Sequence, residues 1–204
     1  QRQMCIETGN LNQLTVLAHE GHIQTVHLRE TVEVLGRTYD AVNALLTEKG
    51  QVISYGNVSF IKESKQTAGA MHGVMRYVAQ EQKTLDEDGT RYLTGVNCMA
   101  DLAYQSFMAT KNLYGKAHDT FFYQYVQSFS PQEQILPAEA HGIALELAER
   151  FFPDCEVLIA THLDTEHLHS HFIINSVQPN TGKKLHFTPR TLERMRLVLS
   201  LIHI

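Results

Sequence analysis

Apolar residues recur at three- and four-residue spacing through Val32, Leu35, Tyr39, Val42, Leu45 and Leu46, with Val26 ahead of them. That is the period of an amphipathic helix. A lone helix of this kind cannot bury its apolar face, so it must dock on the rest of the chain or on a partner. Gly50 and the stretch Ser54-Tyr55-Gly56-Asn57 read as punctuation. Residues 1–50 are therefore expected to be a helical appendage, 51–56 a linker, and 57–204 a second domain.

Beyond the linker the period changes. Val58-Ser59-Phe60-Ile61 reads as a short strand, Ala68 to Ala79 as a helix, and 91–98 as extended chain. A helix is expected from Ala100 to Tyr114. Phe121 to Phe129, rich in aromatic and β-branched residues, reads as a strand that Ser130-Pro131 ends. Pro137 opens a helix to Phe151 or Phe152. Glu156–His162 and Leu168–Val177 are the last two strands. Too few residues join these two for a helical crossover, so they must pair antiparallel. The expected fold class is α/β (an α+β sandwich), with helices packed on a central antiparallel-rich sheet.

Composition adds little to this picture. Of 204 residues, 43% are hydrophobic and 19% charged, as in a globular domain. No apolar run reaches the length of a membrane span, so no membrane insertion is expected. The cysteines, Cys5, Cys98 and Cys155, lie far apart and read as free thiols in a reducing cytoplasm. The formal net charge of −5 argues mildly against a nucleic-acid partner. Yet the last stretch carries Lys183, Lys184, Arg190, Arg194 and Arg196 against Glu193 alone. A DNA strand needs a local basic path rather than a basic total. The same charges also fit a solvated helix face.

The chemistry concentrates in His162-Leu163-Asp164-Thr165-Glu166-His167-Leu168-His169-Ser170-His171, which holds four of the twelve histidines. A two-residue turn at Thr165-Glu166 sets His162 opposite His169, Leu163 opposite Leu168 and Asp164 opposite His167. Opposed residues share a face with Cβ atoms roughly 5 Å apart, and His171 joins them by the two-residue period. His162, His169 and His171 thus converge on one face, a set suited to a divalent ion with positions left open for substrate oxygens. Asp164 and His167 lie at the turn end of that face, where they could orient a ligand. The opposite face, with Leu163, Leu168, Phe172 and Ile174, suits a core.

The pattern His162-x-Asp164-Thr165-x-His167-x-His169-x-His171, followed by Phe172-Ile173-Ile174-Asn175, resembles the third motif of the relaxase/mobilisation nucleases. These are the MobP-type conjugative relaxases, of the His-hydrophobic-His endonuclease class. Val58–Lys65 resembles their first strand, and Val74-Met75-Arg76-Tyr77-Val78 the helix that carries a nucleophilic tyrosine. Gly95-Val96-Asn97-Cys98 and Tyr123–Pro131 resemble further stretches, so the likeness covers about residues 57–196. Residues 9–47, through Gly9-Asn10-Leu11-Asn12-Gln13-Leu14 and Leu17-Ala18, are similar to MobC-type accessory proteins. Family members continue beyond residue 196 in a way this chain does not, so the nicking domain is expected to be C-terminally truncated.

The resemblance implies a strand-specific nick at a transfer origin, made by tyrosine transesterification with a 5′-phosphotyrosine product. It implies Tyr77, among eight tyrosines, as nucleophile, with Asp164 as a second catalytic residue. His162, His169 and His171 would hold the metal, and His167 and Asn97 would support them. Lys183, Lys184, Arg190 and Arg194 are the candidate DNA contacts. Magnesium or manganese is the expected working ion, although three nitrogen ligands rank cobalt, nickel and zinc above magnesium in affinity. Expected partners are single-stranded or melted origin DNA, relaxosome accessory proteins and a type IV secretion coupling protein. Open alternatives are a rolling-circle replication initiator nuclease, a histidine-metal hydrolase of another class, and a non-catalytic DNA-binding module.

Overall fold

The computed structural model describes residues 56–202 apart from 131, 132, 134 and 166. The expected appendage at 1–50 and most of the linker lie outside the described residues. The elements in chain order are β1 (Asn57–Ile61), α1 (Ala68–Val78), α2 (Glu81–Thr84) and β2 (Leu93–Val96). A 3-10 turn (Ala100–Leu102) leads into α3 (Ala103–Leu113), then β3 (Phe122–Ser128) and α4 (Pro137–Phe151). β4 (Val157–His162), β5 (His169–Asn175) and α5 (Pro189–Ile202) complete the domain. Every strand expected from the pattern is present, within one to two residues at most ends.

Local chemistry sets several boundaries. Thr67 caps α1, its hydroxyl accepting from the Ala70 amide at 3.1 Å. α4 begins with Pro137 in its first turn, where a missing N–H costs nothing, and Glu139 reaches back to accept from the Leu136 amide at 3.0 Å. The one-turn helix α2 has no periodic signature and was not expected. Its amides at Lys83 and Thr84 both reach the Gln80 carbonyl.

The five strands form one sheet in the order β1-β3-β5-β4-β2, with every pairing antiparallel. Helices cover both faces. On one face Phe172, Ile174, Val157, Ile159 and Tyr125 pack with Ala144, Leu147 and Ala148 of α4 and with Met195 and Leu199 of α5. On the other, Ile173, Leu158, Ala160 and Phe122 pack with Met71, Met75 and Val78 of α1 and Ala103 and Phe107 of α3. The central strands β4 and β5 are therefore buried on both faces. That is why they read as nearly continuous apolar runs rather than as alternation.

Two expectations change in detail. The β4–β5 register pairs His162 with His169, as the turn arithmetic required, but the ladder stops there. The Leu163 amide donates to the Lys83 carbonyl instead (2.8 Å), and Phe129 takes the Leu168 carbonyl (3.0 Å). Residues 163–168 thus form an open connection tied to α2 and to the end of β3, not a tight two-residue turn. For the same reason Leu163 and Leu168 are only half-buried, while Phe172 and Ile174 are buried as expected.

A buried polar knot fastens the far end of β5 to α3. The Lys111 ammonium is fully buried and donates to Asn175 Oδ1 and to Ser176 Oγ (3.0 Å). The Asn175 amide donates to Glu156 (2.5 Å), which also accepts from Ser106 (2.6 Å). Removing one partner strands the others without water. Lys111→Met should therefore lower stability by about 2 kcal/mol. Burial pushes the Lys111 pKa down to about 7, whereas an unfolded lysine titrates near ~10.4. Between those values the unfolded chain holds a proton the folded chain has released, so this group's contribution to stability rises with pH. Urea unfolding at pH 7 and pH 9 should show a steeper rise for the unaltered chain than for Lys111→Met; equal slopes would refute the assignment.

Candidate metal centre

The antiparallel register delivers the histidines. His162 ends β4, His169 opens β5 opposite it, and His171 follows two residues on along the same face. The ring centroids stand 4.9 Å apart for His162 and His169, 4.5 Å for His162 and His171, and 5.1 Å for His169 and His171. One nitrogen of each ring lies within 4.8 Å of the others, so the three form a group that could hold a metal ion. His162 and His171 are buried, and His169 is half-buried at the mouth.

The remaining ring nitrogens say which atoms face the ion. His162 Nε2–H donates to the Val78 carbonyl at the end of α1 (2.9 Å), leaving Nδ1 free. His169 Nδ1–H donates to the His167 carbonyl (3.1 Å), leaving Nε2. His171 Nδ1 lies 3.2 Å from the Gln124 side-chain amide, leaving Nε2. Gln124 is buried on β3, and its Oε1 is without a partner. Turning that amide over would let Oε1 accept from Nδ1–H and fix the tautomer a metal on Nε2 requires, with the amide NH2 then the group left without a partner among the described residues. His162 and His169 thus have an acceptor behind them, and His171 has one with the Gln124 amide turned, the arrangement found behind metal-bound histidines.

The electrostatics agree. Burial, then the neighbouring His162 and His169 rings, push His171 down to about 3. Burial likewise holds His162 below its ordinary value. These two rings are thereby biased toward the neutral form, which keeps lone pairs for a cation. The donor set, three converging imidazole nitrogens, fits a divalent ion.

Tyr77 stands beside this cluster. It occupies the last turn of α1, is 53% exposed, and its ring meets that of His162 edge-on at 6.2 Å. Val78, its neighbour, is buried and supplies the carbonyl that orients His162. The same turn therefore points one residue into the core and the next toward the metal side.

Other candidates are placed differently. Asp164 touches no histidine ring; it pairs with Lys83 at 2.5 Å. The His167 imidazole is exposed, and it is the backbone carbonyl that supports His169. Asn97 is not brought to the site. It sits past the Val96–Val157 end of the β2–β4 ladder, opposite to the His162 end, in a left-handed turn (φ 54°). Its amide there caps the Pro153 and Cys155 carbonyls at 2.8 Å each.

The basic tail is also remote from the cluster. Lys183 and Lys184 follow the far end of β5, where Lys184 donates to the His118 carbonyl (2.7 Å). Arg190 and Arg194 lie on α5, which packs through Met195 and Leu199 on the face opposite to the histidines. Cations nearer the site were missed from sequence. Lys83 lies over the Tyr77 ring at 4.8 Å from its centroid. Arg76, next to Tyr77, lines with His72, Arg91 and Tyr104 an open hollow of about 230 Å³ between α1 and α3. Lys83 sits on a helix too short to leave a period, so nothing in its neighbourhood announced it.

Residues 77–203 match the model of the relaxase family, MobA/VirD2-like, nuclease domain. A protein named rlx from Staphylococcus aureus is 39% identical over 103 residues, 50% of this chain and 31% of that protein. A second S. aureus protein of that name is 42% identical over 91 residues, 45% of this chain and 29% of the relative. The group II intron-interrupted relaxase LtrB of Lactococcus lactis subsp. cremoris is 42% identical over 60 residues, 29% of this chain and 11% of the relative. The chain spans less than a third of the length of these relatives.

The metal reading predicts calorimetric outcomes. The double variant His169→Ala, His171→Ala should lose manganese binding, and unchanged affinity would sink the assignment. Gln124→Leu should weaken it by roughly tenfold or more, the usual cost of removing a group that orients a ligand.

Proposed function

Because this chain belongs to the MobA/VirD2-like relaxase nuclease family, we propose that it nicks one DNA strand at the transfer origin of a mobile element and holds the cut end covalently. The observation that carries the proposal is the placement of an exposed tyrosine hydroxyl-bearing ring beside three converging imidazoles. A phosphodiester needs an in-line nucleophile and relief of the charge that develops on its oxygens. Tyr77 is the nucleophile in this reading.

The reaction is a transesterification. The Tyr77 oxygen forms a bond to phosphorus as the P–O3′ bond breaks. The phenol proton is lost, and O3′ takes one up. The product is a 5′-phosphotyrosine strand and a free 3′ hydroxyl, with the ester energy kept for rejoining. A divalent ion on His162, His169 and His171 supplies Lewis-acid polarisation of the scissile phosphate. Magnesium or manganese is the proposed working ion. The Val78 and His167 carbonyls hold two of the rings in the required tautomers, and Gln124, with its amide turned, holds the third.

The proposed substrate is single-stranded or locally melted DNA, since only a flexible strand lets a phosphate reach the sheet-face site in line. Relaxosome accessory proteins and a type IV coupling protein are the proposed partners, and the cytoplasm the proposed location. No described helix is long and apolar enough to cross a membrane. The DNA path close to the cut is assigned to Lys83 and Arg76; Lys183, Lys184, Arg190 and Arg194 are kept as contacts for more distant parts of the strand.

Tyr77→Phe tests the central step. With a labelled single-stranded origin oligonucleotide and manganese, cutting and the denaturation-resistant band should vanish together. Metal and DNA affinity should persist, because only one exposed oxygen is removed. A variant that still forms the adduct contradicts the proposal, as does equal cutting of blunt duplex by the unaltered chain. Histidine variants should instead keep slow residual cutting, having lost several kcal/mol of charge stabilisation but not the nucleophile.

Residues 1–50 are proposed as a MobC-like segment joined to the nicking domain. Deleting them should leave oligonucleotide cutting within about twofold. Loss of cutting by a deletion variant that remains folded would overturn the two-part organisation.

A further inference from the structure

We propose that Lys83 is a second cation of the reaction centre, held by Asp164 so that its ammonium meets the phosphate at the Tyr77 oxygen. The inference rests on the Tyr77 reading above and adds to it a residue and a role.

Lys83 is fastened at three points. Its amide donates to the Gln80 carbonyl at 3.0 Å, and its carbonyl accepts from the Leu163 amide at 2.8 Å. Its Nζ pairs with Asp164 Oδ2 at 2.5 Å, and the side chain is only 12% exposed. From that anchorage the ammonium lies 4.8 Å from the centroid of the Tyr77 ring. The Tyr77 ring also meets that of His162 edge-on. The tyrosine ring is therefore in reach of both a fixed organic cation and one of the histidines that would hold a divalent one.

A phosphate attacked by Tyr77 carries its negative charge on non-bridging oxygens, and the departing phenol proton leaves charge on the nucleophile. One cation on the histidine side can neutralise only part of this. A lysine is a point charge with three donors, able to serve the attacking oxygen and a non-bridging oxygen at once. It exchanges no proton in this role: the bond made is O–P at Tyr77, the bond broken is P–O3′. Preorganisation by Asp164 removes the cost of ordering a flexible side chain during reaction. The Asp164 hydrogen bond also holds the lysine pKa up, so the charge is permanent. This accounts for an Asp164 that sits in the histidine motif yet touches no histidine.

A structural alternative exists, in which the pair only pins residues 163–168 to α2. Three substitutions in the full chain separate the two. Adduct formation is followed in single turnover, at saturating oligonucleotide and manganese. Lys83→Met should slow it at least tenfold, with the oligonucleotide kept saturating for each variant and metal affinity within about twofold. Lys83→Arg should recover most of the rate. Asp164→Asn, which breaks the same ion pair but leaves the cation, should lose clearly less than Lys83→Met. Equal losses in Lys83→Met and Asp164→Asn, no recovery in Lys83→Arg, or an unaltered rate in Lys83→Met would each overturn the role. Failure of the parent reading looks different: Tyr77→Phe, run alongside, would then still form the adduct.

Discussion

The pairing of β4 with β5 is the constraint on which this centre depends. The histidines come from two strands, and only the register His162↔His169 puts them on one face with His171. A slip of one residue would send β5's imidazoles to the other face and bring Ser170 and Phe172 forward. The register is protected from both sides of the sheet. Phe172 and Ile174 are locked into the core under α4 and α5, and Ile173 into the core under α1 and α3. The cost of a slip is therefore the apolar core itself, which lets a cluster of partly desolvated polar rings persist at the strand ends.

The same constraint governs charge. Packing His162 and His171 beneath α1 biases them toward the neutral form, and the acceptors behind them select the nitrogen that faces outward. α1 contributes twice within two residues, through the Val78 carbonyl and the Tyr77 ring. The placement of the proposed nucleophile and the orientation of His162 are thereby coupled: a shift of that helical turn would disturb both. A net charge of −5 does not count against the proposed phosphate substrate, because what would act on it is a handful of fixed local charges rather than the sum.

Much of this was readable in the sequence, and the reasons are specific. The histidine convergence follows from strand period and turn length alone, and the aromatic run of β3 and the proline of α4 mark themselves. Tyr77 was readable only through family likeness, since an exposed tyrosine on a helix has no distinguishing period. The supporting groups were not readable at all. The Val78 and His167 acceptors are backbone carbonyls, Gln124 comes from a strand whose alternation announces only burial, and Lys83 reaches Asp164 across 81 residues. The basic tail could not be placed relative to the histidines, because charge density in sequence carries no information on which face of the sheet a helix will cover.

The central claim is that one tyrosine and one histidine-held metal act on the same phosphate. Peptide mapping of the protein–DNA adduct by mass spectrometry tests it most directly. The unaltered chain, incubated with single-stranded origin oligonucleotide and manganese, should carry the nucleotide mass on the peptide containing Tyr77, and no peptide should carry it when a chelator replaces the metal. A nucleotide mass on another residue, or an adduct that forms equally well with the chelator present, would contradict it.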